Sequence, residues 1–429
     1  MNAELQDQVL PGTYVSFVST GSVHASMSER GVSALGLPLQ WGAENELIVI
    51  DGENASEQCP AYLGYPLSSP QMLAVREALR HATTLYLYRT DTGGTAAENA
   101  LAQAKCTGSR GNALCISVSC EQQTGGREIY TVQTLLEGVA VHTQHVQSPE
   151  QLKDNRYVTF LPQEQLAAGV HPLQGGGDGS DSLQGHTAFM QVLESYCPNT
   201  VGYAGTNEDI RAAYVDFAKH MREDLGAKCQ VVLYRCAADY EGVVSVYNAV
   251  QGDEEGALVF WITGVCAGEA VNASSVNRIY DGELTPDAML SYRECLNAAQ
   301  AGHMVMHRIA DSIRIRNDVN SLVTFTEEKG KMFSSNQTIR VLDQIANDIG
   351  ILFRDKYLGV CPNDVAGRYS LWTDIVKHHR ALCDMRAIED FEDGDIIVRQ
   401  GQEPGAVLIY DAITVVNAMT KLYMLCYIA

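Results

Sequence analysis

Hydrophobic and polar positions in the first 90 residues predict strands on either side of a helix. The segment PGTYVSFVST (11–20) alternates between two faces after a Pro-Gly turn, which is typical of a strand. Residues 69–81 carry apolar side chains at helical spacing behind Pro70, and proline is favoured in the first turn of a helix. The run TLYLYR (84–89) then predicts a second strand.

The pattern changes between residues 95 and 172 to short alternating runs separated by Gly, Asn, Gln and Pro. This alternation predicts an inserted all-β domain, a small β-sandwich. The segment LQGGGDGSDS (173–182) closes the insert and predicts a turn or linker. A phosphate-binding loop would need a Lys-Ser/Thr pair, which this segment lacks.

Helices and strands alternate again from residue 206 onward. A helix over 206–226 precedes two valine-rich strands. Residues 256–271 are apolar enough for a fully buried helix, in which Gly264 and Gly268 permit close backbone approach. These segments predict a central sheet flanked by helices.

The last third of the chain predicts an α+β arrangement. Residues 287–301 read as a helix, and the alternation over 303–318 predicts a short β-hairpin. Two amphipathic helices follow, one around 339–352 and one around 371–384. A second hairpin turns at residues 401–405.

The chain ends in an apolar tail, NAMTKLYMLCYIA (417–429), whose single charge is Lys421. Chain ends usually carry polar residues, so this composition predicts a tail that binds another surface. A helix would put Val415, Met419, Leu422 and Cys426 on one side, but the Tyr-, Leu- and Ile-rich end favours a strand. In a strand, Leu422, Met424, Cys426 and Ile428 would form the buried face, and Lys421, Tyr423, Leu425 and Tyr427 the other.

Composition and charge restrict the classes of function. A chain of 429 residues with 46% hydrophobic and 19% charged residues reads as a folded protein of several domains. The net charge of −22 argues against a nucleic-acid or anionic-membrane binder. Between Lys329 and Arg386, nine Lys/Arg stand against six Asp/Glu. This +3 stretch predicts either a basic patch for an acidic partner or a solvated face.

The sequence predicts neither a membrane span nor a signal peptide, because it lacks a long apolar run and a basic, apolar leader. The expected location is therefore cytosolic. Its twelve cysteines form no C-x-x-C pair and lie largely in apolar segments. They are interpreted as buried, reduced thiols.

Histidine pairs give little support for a metal or catalytic site. His303 and His307 stand four apart, but in a strand they would lie about 13 Å apart, too far to share one metal. His378 and His379 lie in the second amphipathic helix, with His379 toward its apolar face. They are interpreted as satisfied core or interface histidines rather than general bases.

Acidic residues and known motifs point the same way. Asp178, Asp181 and the acidic run 389–395 lack the spacing of a calcium-binding loop. A nucleophile elbow, a P-loop and a zinc-protease motif are all missing from the sequence. The sequence therefore predicts no catalytic residue, no metal and no cofactor.

Ten segments, spread through nearly the whole chain, carry a family resemblance, and the last five, in the C-terminal third, match best and follow one another in the family's order. They are PGTYVSF, GGTAAENALAQAKCTGSRGN, LQGGGDG, MREDLGAKCQVVL, ADYEGVVSVYNAV, AGEAVNASSVNRIYDG, DVNSLVTFT, KGKMFSSNQTIRVLDQIANDI, YLGVCPNDVAGR and NAMTKLYMLCYIA. Together they resemble the tail sheath proteins of contractile phages, R-type bacteriocins and related contractile injection systems, especially the compact Gram-positive type. Residues 120–170 match only as a β-rich insert.

The resemblance implies a structural subunit that polymerises as stacked six-membered rings around an inner tube, together with baseplate and tail-terminator proteins. It implies a sheath assembled in the bacterial cytoplasm and no enzymatic activity. The implied fold has a subtilisin-like α/β core without a protease triad, an inserted β-sandwich, an α+β C-terminal domain facing the tube, and strand-forming terminal arms.

The same resemblance implies roles for particular residues. Both arms would add as strands to sheets in neighbouring subunits; the candidate side chains are Tyr14, Val15 and Phe17 in the first arm and Leu422, Met424, Cys426 and Ile428 in the second. Lys377 and Arg380, on the polar face of a helix in the basic stretch, are the candidate tube contacts.

Six segments are predicted, and two other functions stay open. The segments are an N-terminal arm (1–22), a first core part (23–94), the inserted β-sandwich (95–175), a second core part (176–286), the tube-facing domain (287–415) and a C-terminal arm (416–429). A cytosolic α/β hydrolase with an accessory β domain is one alternative. A non-contractile shell or adhesin component is the other.

Overall fold

The computed structural model describes residues 28–122, 128–252 and 254–428. The predicted strand with Tyr14, Val15 and Phe17 lies outside the described residues. The chain divides into two compact units. The core unit comprises Glu29–Gln344 and the chain from Val416 onward, and the C-terminal unit comprises Ile345–Val415 with Ser28. This division is coarser than the six predicted segments, which stay predictions.

The described residues contain 22 strands and eight α-helices. The strands are β1 (Val32–Leu37), β2 (Leu47–Asp51), β3 (Thr84–Arg89), β4 (Asp91–Thr92), β5 (Ala96–Glu98), β6 (Ala102–Thr107), β7 (Leu114–Gln122), β8 (Glu128–Leu136), β9 (Val139–Val146), β10 (Val158–Phe160), β11 (Gly169–Pro172), β12 (Ser180–Asp181), β13 (Thr200–Tyr203), β14 (Gln230–Tyr234), β15 (Val243–Val246), β16 (His303–Met304), β17 (Met306–Ile309), β18 (Ser312–Ile315), β19 (Ile388–Glu389), β20 (Ile396–Gln400), β21 (Val407–Asp411) and β22 (Thr414–Val415). The helices are α1 (Ala55–Gln58), α2 (Leu73–Leu79), α3 (Leu183–Leu193), α4 (Glu208–Lys219), α5 (Leu258–Gly268), α6 (Tyr292–Gln300), α7 (Asn336–Leu352) and α8 (Val365–Asp384).

A seven-stranded sheet forms the centre of the core unit, in the order β16-β15-β14-β13-β1-β3-β2. Every neighbouring pair is parallel except β2 with β3, which is antiparallel at one edge. One hydrophobic cluster joins α2 and α5 to one face of the sheet, and a second joins α3 and α4 to the other. Because both faces are covered, β13, β14 and β15 are buried along their whole length.

Helix α5 packs unusually close to α2. A Cβ atom at Gly264 would lie 2.1 Å from the carbonyl oxygen of Ala78, and one at Gly268 would lie 1.9 Å from that of His81. Neither position has room for a side chain against the backbone. The predicted close approach at these two glycines is therefore confirmed.

The insert consists of two antiparallel sheets, ordered β10-β6-β5 and β11-β7-β8-β9, which share one hydrophobic cluster. Beside it, the buried Arg89 guanidinium binds both carboxylate oxygens of Asp91 at 2.7 and 2.8 Å. Arg89 also donates to the carbonyl oxygens of Gly42 and Thr107. Arg89 therefore ties the end of β3 to the end of β6 in the insert and to the loop before β2.

The C-terminal unit is built on α8. The Asp364 side chain accepts a hydrogen bond from the Gly367 amide and caps the start of the helix. The apolar face of α8 packs against the β20–β21 hairpin, and Trp372 Nε1 donates to the Ile396 carbonyl at 3.0 Å. A two-stranded hairpin is marginally stable alone, so this packing holds it in place.

Three sequence predictions need correction. The helix predicted over 287–301 begins at Tyr292, because Ser291 and Glu294 form a capping box there. The hairpin predicted over 303–318 is formed only by β17 and β18, since β16 joins the central sheet. The thiols are not uniformly buried: Cys120, Cys197 and Cys426 are exposed, which local apolar context does not reveal.

Candidate assembly surface

The C-terminal tail, residues 419–428, is an exposed apolar segment. Leu422 is 88% exposed, Met424 77% and Ile428 98%. Every residue of the tail is exposed, and none of the described hydrogen bonds or ion pairs involves it. The isolated chain therefore leaves this apolar surface in water, where its burial by another surface would be favourable.

The tail does not pair as a strand with any described segment of its own chain. Leu422 and Met424, predicted for the buried face, and Tyr423 and Leu425, predicted for the other, are all exposed. Cys426 is exposed as well. The assignment of the two faces therefore stays a prediction.

The chain just before the tail is held tightly. The Gln337 side chain donates to the Val416 carbonyl at 3.2 Å and accepts from the Ala418 amide at 2.9 Å. Asn417 Oδ1 accepts from the hydroxyls of Thr338 and Ser335 at 3.2 and 3.4 Å. We call these three side chains, Gln337, Thr338 and Ser335, the tail anchor.

The β20–β21 hairpin of the C-terminal unit has two open edges, since no strand of the described residues pairs with either one. Val398 and Ile409 face the α8 cluster, whereas Ile397, Leu408 and Tyr410 are exposed on the opposite side. Open edges and exposed apolar side chains together form a template for an added strand.

The predicted basic patch is largely neutralised. Lys377 and Arg380 are both exposed on α8, but the Arg380 guanidinium binds the Asp393 carboxylate at 2.5 and 2.7 Å. Residues 345–415 carry seven Lys/Arg against twelve Asp/Glu, so the C-terminal unit has a net charge of −5. Farther back, Lys329 pairs with a carboxylate of the core unit, that of Glu241. The charge excess of 329–386 does not therefore translate into a broad basic surface.

The histidine pair on α8 has a structural role. His378 Nε2 lies 2.9 Å from Asp348 Oδ2, and His379 Nε2 lies 2.9 Å from Asp411 Oδ2. Both rings are fully buried. Asp348 also accepts from the backbone amide and the hydroxyl of Ser28. The interpretation as satisfied core histidines is confirmed.

Three other candidate ligands, His303, Asp178 and Asp181, make hydrogen bonds, and His307 lies in a different sheet from His303. His303 Nδ1 lies 2.7 Å from Ser245 Oγ, and burial lowers the pKa of this histidine. Asp178 accepts from the amide and hydroxyl of Ser109. Asp181 accepts from the Thr90 hydroxyl and lies against the buried His186. Within the described ranges, no group of three or more His, Cys, Asp or Glu is arranged to hold a metal ion.

The Asp181–His186 pair belongs to a buried cluster that the sequence did not single out. His186 Nδ1 lies 2.8 Å from the Tyr214 hydroxyl, and burial raises the pKa of Tyr214 well above its ordinary value. Tyr203 stacks on Tyr214 with ring centroids 5.3 Å apart. These contacts hold α3 against α4 and β13.

Three family models match separate parts of the chain, which together leave residues 91–180 unmatched between the first and the second. Their descriptions are "Tail sheath protein Gp18 domain III N-terminal region" over residues 30–90, "Phage tail sheath protein central domain" over 181–321 and "Phage tail sheath C-terminal domain" over 328–429. In the described residues, no helix is long and apolar enough to cross a membrane.

Solved structures of bacterial sheath tail proteins are similar over nearly the whole chain. One from Desulfitobacterium hafniense is 30% identical, with a TM-score of 0.83, covering 95% of this chain and 97% of that one. One from Listeria innocua is 29% identical, with a TM-score of 0.81, covering 92% and 93%. The contracted helical sheath of the anti-feeding prophage shares the fold at 12% identity, with a TM-score of 0.58 and coverage of 98% and 99%.

The multidomain α/β fold and these matches define a structural protein rather than an enzyme. The chain belongs to the contractile tail sheath protein family.

Proposed function

We propose that this chain is the subunit of a contractile sheath. It polymerises as stacked six-membered rings around an inner tube and contracts to drive the tube through a target cell envelope. Its partners are other copies of itself, the inner tube protein, and baseplate and tail-terminator proteins; it assembles in the bacterial cytoplasm and works in a particle tail. Family membership and the uncovered apolar tail support this proposal.

In this proposal the tail of one subunit adds as a strand to the open β20–β21 hairpin of another. About five backbone hydrogen bonds at ~0.5–1.5 kcal/mol each contribute roughly 3–8 kcal/mol per tail before ordering costs. Burial of the exposed Leu422, Met424 and Ile428 side chains adds to this. The exposed apolar side of the hairpin is the observation that favours it as the acceptor.

Such strand addition links copies without limit. Because the donor and acceptor are different surfaces, each subunit can bind the next, and the contact propagates along a helix. An N-terminal arm carrying Tyr14, Val15 and Phe17 adds a second link of the same kind. Contraction needs no nucleotide if the extended lattice is kinetically trapped above a more compact one, and extended arms keep neighbours tied while they rotate.

Removal of residues 419–429 tests strand addition. The truncated chain should form no tubes or rings by electron microscopy, because the donor strand is gone. Its melting temperature should match that of the full chain, since the described residues of the tail are exposed and unpaired. Normal sheaths from the truncated protein would refute the role of the tail.

Lys377 and Arg380 remain the proposed tube contacts. Their joint reversal to glutamate should weaken docking to an acidic inner tube, more strongly at low salt, where exposed charges are least screened. Arg354→Glu is the matched control, because Arg354 is also an exposed arginine paired with a neighbouring aspartate, Asp355. Co-sedimentation with tubes measures the effect. Equal losses in the double variant and the control would contradict a specific contact.

Two finer features belong to the same proposal. A subtilisin-like layout of the core is supported by its mostly parallel sheet with helices on both faces.

A non-contractile shell is the competing function that remains, and it predicts a single lattice state. Micrographs of particles before and after triggering separate the two, because a contractile sheath yields tubes of two lengths.

A further inference from the structure

The Gln337 side chain imitates a neighbouring β-strand for the chain that enters the tail. Gln337 is 3% exposed, and both polar atoms of its side-chain amide make hydrogen bonds. One N–H of Nε2 donates to Val416 O at 3.2 Å, the other donates to Asn272 O at 3.1 Å, and Oε1 accepts from the Ala418 amide at 2.9 Å. A single buried carboxamide therefore binds the backbone of both neighbours of Asn417, Val416 and Ala418.

The hydrogen bonds that the tail anchor makes with the chain stop at Ala418. Asn417 Oδ1 accepts from two hydroxyls at the start of α7, so residues 416–418 are all held. From Met419 onward every described residue is exposed, and Met419 itself exposes its whole side chain. The change from a bound to an unbound backbone therefore falls between Ala418 and Met419.

We infer that Gln337 is a positioning residue that sets where the C-terminal arm leaves the fold. This inference rests on the proposed strand exchange. Eleven residues from Met419 span at most about 36–40 Å, and releasing residues 416–418 would add about 10 Å of slack. Slack matters because a shift of one residue in strand register turns every side chain to the opposite face. A buried anchor therefore specifies both the reach and the register of the donor strand.

The test is Gln337→Met, which keeps the length of the side chain and removes its amide. In the wild-type monomer, the Ala418 amide should exchange with solvent about tenfold more slowly than the amides of 420–428, as expected for one hydrogen bond. In Gln337→Met the Ala418 amide should exchange as fast as the tail. Gln300→Met, at an exposed glutamine on α6, is the control and should leave the exchange unchanged.

Electron microscopy of the same variants tests positioning. Gln337→Met should lose regular tubes at protein concentrations where Gln300→Met forms them, with the monomer still folded by circular dichroism. If the Ala418 amide exchanges as fast as the tail in the wild type, or stays slow in Gln337→Met, Gln337 does not hold the backbone at Ala418. Lost protection with regular tubes would overturn its positioning role. Failure of strand exchange itself is recognised separately, by sheath formation after removal of 419–429.

Discussion

The two faces of the tail can be distinguished by a matched pair of substitutions, Leu422→Ala and Leu425→Ala. Both side chains are leucines in the same exposed segment, at 88% and 77% exposure. They are three positions apart, so in a strand they point to opposite faces. Leu422 belongs to the face predicted to be buried in the neighbouring subunit, and Leu425 does not.

The expected effect follows from the area that each leucine loses to the partner. Truncation of a leucine that becomes buried on assembly removes about 2 kcal/mol per subunit. Since 1.4 kcal/mol is a factor of ten, Leu422→Ala should raise the critical concentration for sheath assembly about thirtyfold. Leu425→Ala should change it by less than about threefold, because its side chain stays in water.

Pelleting of assembled sheaths over a dilution series measures the critical concentration. The melting temperatures of both monomers should equal that of the wild type, because neither side chain packs within its own chain. Equal shifts for the two variants would refute the alternating strand, and a larger shift for Leu425→Ala would mean that the faces are reversed.

Two further predictions concern stability of the monomer. Asp91→Asn should cost about 3 kcal/mol at neutral pH, the low end for a broken buried ion pair, because the buried Arg89 keeps only the half-exposed Glu44 carboxylate, 3.8 Å away. Burial alone would raise the pKa of Asp91, but hydrogen bonds from Arg89 and its charge hold it below the ordinary 3.8. The stabilisation is therefore fully present above pH 3.8 and is lost as the pH falls through the pKa of Asp91 in the folded state. Denaturant melts at several pH values should show that the difference in unfolding free energy between the wild type and Asp91→Asn shrinks only below pH 3.8. Gly264→Ala should cost about 1–3 kcal/mol, since its Cβ meets Ala78 O at 2.1 Å, whereas Gly350→Ala, in an open position on α7, should be neutral or stabilising by thermal melt. Equal melting temperatures for the two glycine variants would contradict the close packing of α2 and α5.

Much of the fold was predictable because burial leaves a local pattern. The run QVVLY of β14 lies buried on both faces of a parallel sheet, and a continuous apolar run is the local sign of that position. The alternation in the insert likewise marks antiparallel strands with one covered face. The start of α6 was misplaced, because the side chains before Ser291 suit a helix that the capping box then excludes.

The candidate site was predictable only in part. The tail could be recognised from the sequence because chain ends usually carry polar residues and this one is apolar. The sequence did not single out the anchor residue Gln337, because it is a polar residue in a polar stretch. The partners of its side chain, Val416 and Ala418, are far away in the sequence. The open hairpin edge is likewise a property of the sheet rather than of the segment.

The order of residues is enough to show which segments are apolar on one face, on both faces or at a chain end, because those patterns depend only on neighbouring residues. Which charges and amides find partners depends instead on how the segments pack. The pairing of Arg380 with Asp393 removes charge from a stretch that looks basic, and Asp348 reaches His378 thirty positions away. Electrostatic and hydrogen-bond partners are set by distances of a few ångströms in space, which sequence spacing does not encode.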